Sequence, residues 1–221
     1  VAGKVPGKVV VFQNTWALDN NQRRNIAQNL KGRFAIWCCF PGMIDLDAKT
    51  VDAANVTALT GYELAPMNEI VPWWEVKATP DGLALGLPKS WSTGTNNSPA
   101  PVHSIVTRSG DRVLATWPNG TAAVVLRKDS LFTTTPRVSE ALLKVACRAA
   151  GAWIYTDSPC AFFQRDGFVL LHGIQDGPIT LNFPTSRNWT DLMTGEKLLE
   201  KSTTSLKLDL KRGETRILMA K

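Results

Sequence analysis

The chain is short of the side chains that do nucleophilic and acid–base work at neutral pH: 221 residues carry two histidines and four cysteines. The cysteines, Cys38, Cys39, Cys147 and Cys160, include no C-x-x-C pair. Adjacent Cys38 and Cys39 point to opposite faces if they lie in a strand, so they are poorly placed to chelate one metal. All four read as free, buried thiols that demand no oxidising compartment. His103 and His172 have no ligand cluster around them, and no metal is expected. Neither G-x-G-x-x-G nor a P-loop occurs, so no nucleotide cofactor is expected. No apolar run reaches the length of a bilayer-crossing helix, and no membrane partner is expected. The N-terminus shows no basic segment with an apolar core and cleavage site. Lys and Arg outnumber Asp and Glu by 25 to 19. They are scattered, however, with only the pairs Arg23-Arg24, Arg127-Lys128 and Lys211-Arg212, so no nucleic-acid partner is expected.

What is present is globular: 44% hydrophobic and 20% charged residues are enough to bury a core. The final seventy or so residues read as short strands at Ala152–Thr156, Ala161–Gln164, Phe168–His172, Ile179–Phe183, Trp189–Leu192, Leu206–Leu210 and Thr215–Met219. Turn residues separate them, among them Asp166-Gly167, Met193-Thr194-Gly195-Glu196 and Lys211-Arg212-Gly213-Glu214. Strands at this spacing predict a small antiparallel β-sandwich.

The first half has another character. Lys8–Gln13 and Arg33–Phe40 are continuous apolar runs, expected as strands buried on both faces. Between them, Asp19 with Gln22 forms a capping-box pattern, Ile26, Ala27 and Leu30 an apolar face, and Gly32 a stop. Strand, helix and strand make a βαβ unit, hence a parallel sheet. A short helix is expected over Thr50–Leu59. Residues 62–130 are proline-rich, with Ser90–Pro101 expected as loop. Strands follow at Val102–Arg108, Asp111–Trp117 and Thr121–Arg127, the last two joined through Pro118-Asn119-Gly120. A helix capped by Thr135, with Pro136 first, presents Val138, Ala141, Leu142, Val145 and Ala149 and stops at Gly151. The fold class expected is α/β followed by all-β, with an α/β domain over 1–151 and a sandwich over 152–221.

The blocks Val9–Thr15, Asp19–Arg23, Ile36–Gly42, Leu59-Thr60-Gly61, Leu114–Val125 and Leu142–Tyr155, in that order, resemble the middle domain of bacterial β-galactosidase-like glycoside hydrolases. Leu171-His172 and Asp191–Glu196 resemble the C-terminal β-sandwich of the same enzymes. The resemblance implies an incomplete flavodoxin-like or glutamine-amidotransferase-like domain and then the sandwich. It further implies that the catalytic carboxylates lie in a (β/α)8 barrel, so that the chain's partner is its own catalytic barrel domain. Only seven residues precede the first strand, where the family has further βα units. The chain starts at Val1 without an initiator Met and is expected to be the C-terminal portion of a longer protein, or a reduced relative. A bacterial cytoplasmic or periplasmic setting is implied, with free thiols favouring the cytoplasm.

No catalytic residue is assigned. Asp45, Asp47, Glu63, Glu69, Glu75, Glu140, Glu196 and Glu214 read as solvated or capping acids. A Cys-dependent, amidotransferase-like hydrolase needs a thiol on a strained elbow with a His base. Cys38 and Cys39 fall inside the predicted strand, and neither His103 nor His172 has the expected His-x-Glu pattern. His172 reads as a satisfied sheet histidine. Of eight tryptophans, Trp37, Trp117 and Trp153 read as core and Trp189 lies near a turn. Trp16 follows the first strand at the edge where open α/β sheets bind ligands. Trp73, Trp74 and Trp91 sit in the proline-rich segment. These four are the candidate contacts to an oligosaccharide, or to a second subunit in a homo-oligomer, because exposed Trp marks an interface. The expected function is a non-catalytic accessory and oligomerisation region of a glycoside hydrolase; the alternative is a free-standing carbohydrate-binding module.

Overall fold

The structure, a computed structural model, describes residues 7–67, 74–93, 102–198 and 203–220. The chain divides into two compact units, Val1–Ala152 and Trp153–Lys221.

In the first unit β1 (Val9–Phe12) and β2 (Ala17–Leu18) precede α1 (Asn20–Asn29) and β3 (Phe34–Cys38). Asp19 starts α1 as its sequence context predicts. The Gln22 amide donates to the Asp19 carboxylate at 2.7 Å, and the Asp19 amide donates to the Gln22 side chain at 3.0 Å. This reciprocal pair satisfies donors that a helix start leaves free. Next come β4 (Ile44–Asp45), β5 (Thr50–Val51), α2 (Ala53–Thr60) and β6 (Glu63–Met67). Gly61 ends α2 at φ 75°, a conformation that a side chain would strain. Within the proline-rich residues 62–130, β6 leads to β7 (Trp74–Ala78), α3 (Pro80–Ala84), β8 (Ser90–Thr93) and β9 (Val102–Val106). After β9 come β10 (Arg112–Thr116), β11 (Ala122–Leu126), β12 (Ser130–Thr133) and α4 (Glu140–Ala149).

Among the described residues, nine of these strands form one mixed sheet. β1, β3 and β12 are parallel neighbours. β11, β10, β7 and β8 continue the sheet antiparallel, with β9 paired to β11 and β6 to β9. The sheet is therefore mixed, not the parallel sheet expected. Parallel neighbours require long crossovers, whereas the short turns between β10, β11 and β12 permit only antiparallel pairing.

Alternation along the central strands builds two cores. Phe34, Ile36, Val124, Leu126 and Leu131 pack with Leu142, Val145 and Ala146 of α4. Ala35, Trp37, Val125 and Phe132 point the other way and pack with Ile26 of α1 and Val56 of α2. All five residues of β3 are buried because helices cover both faces there. The same expectation fails for β1, which ends the sheet and leaves Val11 41% exposed.

Two local expectations change. α4 is capped by Ser139, whose hydroxyl accepts from the Leu142 amide at 3.2 Å, and not by Thr135. The buried Thr135 hydroxyl is already engaged, with Thr133 at 2.6 Å and the Arg137 carbonyl at 3.1 Å. The stretch expected as loop from Ser90 contains β8, and residues 94–101 lie outside the described residues.

The second unit holds β13 (Cys160–Arg165), β14 (Phe168–Gly173), β15 (Gly177–Arg187), β16 (Trp189–Asp191), β17 (Thr203–Leu210) and β18 (Thr215–Ala220). Its antiparallel sheet runs β13-β14-β18-β16, and β15 pairs with β17 in a ribbon. Val169, Leu171, Ile179, Leu181, Leu206 and Leu218 come from both and share one core. Phe183 stacks on Trp189 there at 4.2 Å. Ala152–Thr156 is not a strand. Its backbone meets β15 through one bond, from the Asn182 amide to the Tyr155 carbonyl, and not through a ladder. Trp153 is accordingly not core: it is 52% exposed, and its indole N–H donates to the Asn182 carbonyl at 2.8 Å.

Candidate functional site

Parallel strands send their carboxyl ends to one edge of a sheet, which is where open α/β sheets take ligands. Here β1 runs out into Gln13 and Asn14, and β12 into Thr135. With Trp91 and Thr93 of β8 and the Arg137–Glu140 approach to α4, these residues line a cleft of about 1190 Å³. Asn14 turns the chain away from the edge at φ 59°. Trp91 is half-buried, packed by part of its surface against the core under α4. Leu87, Pro88, Pro136 and Val138 extend that apolar wall, and Gln13, Asn14, Thr135, Arg137, Ser139 and Glu140 bring amide, hydroxyl, guanidinium and carboxylate groups, a set that suits a polar ligand with one apolar face. Glu140 supplies the one carboxylate among the described lining residues, and it pairs with Lys144 at 2.7 Å. Retaining glycosidase chemistry needs two carboxyl groups about 5–5.5 Å apart, so this cleft lacks half of that machinery.

Of the four candidate tryptophans, the structure brings Trp91 to the cleft. Trp16 follows β1 and is 48% exposed, but it does not line the cleft. Trp74 opens β7 opposite Thr93, and Trp73 lies outside the described residues. Thr135 and the Arg137–Glu140 approach were not singled out as ligand contacts from sequence; the Thr-Thr-Thr-Pro run after an apolar strand was the available signal.

The acids of the loop after β3 are structural. Amides of Ala48 and Asp47 donate to Asp45 at 2.9 and 3.0 Å; with Arg23 nearby they hold its carboxyl below the usual range. Asp47 accepts from the Asn20 amide at the start of α1 at 2.8 Å. Among the described residues no three His, Cys, Asp or Glu side chains converge as metal ligands, and no helix is long and apolar enough to cross a membrane.

The cysteines depart from the sequence reading in two respects. β3 ends at Cys38, and Cys39 stands on the turn itself at φ 65°, not inside the strand. Its amide still reaches the Thr133 carbonyl at 2.8 Å, and Pro41 and Gly42 complete the bend. The Cys38 thiol donates to the Thr135 carbonyl at 3.3 Å. Burial pushes the Cys38 thiol up to about 11 and the Cys39 thiol up to about 12. Cys147 and Cys160 are half-buried, not fully buried as expected. Buried His103 lies edge-on to Phe40 at 4.9 Å, with its Nδ1 unpartnered among the described residues and its pKa lowered by burial. The thiolate is the reactive form. Iodoacetamide at pH 8 is therefore expected to alkylate Cys38 and Cys39 at least about a hundredfold more slowly in the native protein than in guanidinium. Comparable rates by peptide mass spectrometry would overturn this. His172 is the sheet histidine expected, its Nδ1 2.9 Å from the Thr215 hydroxyl.

No protein-family model matches the sequence, and no curated protein matches it. Solved structures do share its fold. The β-galactosidase of the psychrophilic Marinomonas ef1 aligns with 97% of this chain and 29% of its own, at TM-score 0.60 and 8% identity. A catalytic mutant of Gan42B, a GH42 β-galactosidase of G. stearothermophilus, aligns with 97% of this chain and 32% of its own, at TM-score 0.59 and 10% identity. The polyextremophilic β-galactosidase of the Antarctic haloarchaeon Halorubrum lacusprofundi aligns with 96% and 31%, at TM-score 0.59 and 10% identity. The chain thus spans under a third of the length of these β-galactosidases.

Proposed function

We propose that this chain is a non-catalytic accessory region of a β-galactosidase-like glycoside hydrolase. In this reading it buttresses a (β/α)8 barrel that carries the reacting carboxylates, contributes to self-association and narrows the approach to the substrate. One observation carries the reading: the fold similarity runs through both units, over 96–97% of the chain, and takes in less than a third of each β-galactosidase. At 8–10% identity that similarity speaks for the fold, and the function follows from it as an inference. The cleft agrees with it, since it offers a wall and hydrogen-bonding groups but a single carboxylate.

The Trp91 cleft favours a second reading, a carbohydrate-binding module. One preparation separates the two. The purified chain is expected to give no turnover of aryl β-galactosides; turnover that survives repurification would overturn the accessory reading. Titrating the same sample with a galacto-oligosaccharide to millimolar concentration then reads the second. Fluorescence quenching that disappears in Trp91→Ala supports sugar binding, and a flat titration removes it.

A further inference from the structure

The amino edge of the three parallel strands, opposite the cleft, carries a feature with no counterpart in the sequence reading. Lys8, Arg33 and Asp129 stand immediately before β1, β3 and β12. The ladder sets them side by side: the Phe34 amide donates to the Lys8 carbonyl at 2.8 Å, and the Ala35 amide to the Asp129 carbonyl at 3.0 Å. Together with Lys31, Lys128 and the closing residues of α1 and α4, they line a pocket of about 630 Å³. Four cations and one carboxylate thus border a single hollow.

Their commitments differ. Lys8 is spoken for, since its ammonium donates to the Gly151 carbonyl at 2.8 Å and so answers the carbonyl end of α4. Asp129 accepts from the Ser130 hydroxyl at 3.1 Å. Lys31, Arg33 and Lys128 take part in no ion pair among the described residues. Arg33 is the informative member, because its Nη1 is buried without a hydrogen-bond partner. A charged donor left in that state costs stability, and an anion that accepts from it recovers the cost.

We propose that this pocket binds a small ligand bearing a phosphate group. Three uncommitted cations exceed what one carboxylate ligand neutralises, whereas a phosphate brings up to two charges and several acceptor oxygens. The guanidinium of Arg33 carries its N–H groups in a fork that fits two phosphate oxygens once a shift of the side chain brings the buried Nη1 to the pocket, and Lys31 and Lys128 act as mobile point charges at the rim. The site is separate from the Trp91 cleft and does not rest on the galactosidase reading.

The test uses inorganic pyrophosphate as probe, by calorimetry and by thermal shift, with sodium chloride holding ionic strength constant. Saturable binding at one site is expected. Lys128→Gln and Lys31→Gln change exposed side chains and are each expected to weaken it several-fold. Arg33→Met is expected to weaken it about tenfold or more, with stability in the absence of pyrophosphate unchanged or raised, because a buried donor without a partner is removed. A purely structural arginine would instead lose stability. Arg187→Gln, in the second unit, should leave binding as it is. The proposal fails if pyrophosphate does not bind, if chloride at equal ionic strength has the same effect, or if binding survives unchanged in both Arg33→Met and Lys128→Gln.

Discussion

Replacing Arg216 by Met is expected to destabilise the second unit by about 3–5 kcal/mol, the cost of leaving a buried charge without its partner. The Asp191 side chain is wholly buried, 2.7 Å from Arg216 Nη1, and it also accepts from the Met193 amide at 2.8 Å. Arg216 Nε in turn donates to Glu214 at 2.7 Å. Burial pushes the Asp191 carboxyl up, but Arg216 and the amides of Met193 and Thr194 pull it further down, so the net shift is downward. A carboxyl depressed in the folded state contributes stability that is complete above its unfolded value, near 4, and is lost as pH falls through the folded value. In Arg216→Met the main opposing charge is gone and burial is expected to dominate. Asp191 should then titrate above its unfolded value, with the opposite pH dependence. The gap between the two proteins is therefore expected to narrow between pH 7 and pH 4. Asp191→Asn should cost less, because Arg216 keeps Glu214 and 26% of its side chain surface in water. Hydrogen exchange of the Leu171 and Leu218 amides reads the second unit alone. A loss under about 1 kcal/mol at pH 7, or a gap that widens in acid, would overturn the argument.

What sequence reveals here divides along the distance over which the physics acts. The capping box at Asp19 and the Pro118–Gly120 hairpin depend on neighbours within a few residues, and both are found where expected. The Trp117 amide meets the Thr121 carbonyl at 2.8 Å, with Gly120 at φ 84°. β3 was legible because burial on both faces removes the polar alternation. Pairing was not legible. An apolar run predicts a strand but not its partner, and β12 lies parallel to β3, with Leu131 opposite Ile36, across some ninety intervening residues. The start of α4 was ambiguous, since Thr135 and Ser139 both carry capping chemistry; contacts to Thr133 and the Arg137 carbonyl claimed Thr135. The left-handed turn at Cys39 had no signal, because residues other than glycine seldom adopt it. The basic pocket was invisible for the same reason as the sheet order. Lys8, Arg33 and Lys128 are far apart in the chain and meet because β1, β3 and β12 are neighbours. The scatter that argued against a nucleic-acid surface thus says little about a local cluster. The cleft was half legible: Trp91 was singled out, but its companions come from β1 and from the approach to α4.

Gly82→Ala should destabilise the first unit by about 3 kcal/mol, the upper end of what overpacking costs. Elsewhere in a helix the same change usually gains about 1 kcal/mol, because alanine loses less backbone freedom. Here a Cβ would stand 2.1 Å from the Leu114 carbonyl oxygen and 3.2 Å from Leu87. The oxygen has little room to yield. It belongs to β10 in the middle of the sheet and already accepts from the Thr79 amide at 3.0 Å. Thr79 fixes the approach further, its hydroxyl donating to the Val113 carbonyl at 2.7 Å and accepting from the Gly82 amide at 3.2 Å. α3 must therefore lift from β10, and the chain that follows it, Gly86–Thr93, forms one wall of the cleft. Trp91 travels with that wall, and Leu87, which the new Cβ crowds, belongs to it, so the substitution couples a packing fault to the candidate site without replacing a residue that lines it. Hydrogen exchange should show faster opening around Leu114 and Val76 while the Leu171 amide in the second unit keeps its protection. Any sugar-induced quenching that depends on Trp91 should weaken in parallel. Wild-type stability in the variant would mean that α3 slides along β10 at little cost, and the close approach of Gly82 would then lose its role in positioning the cleft.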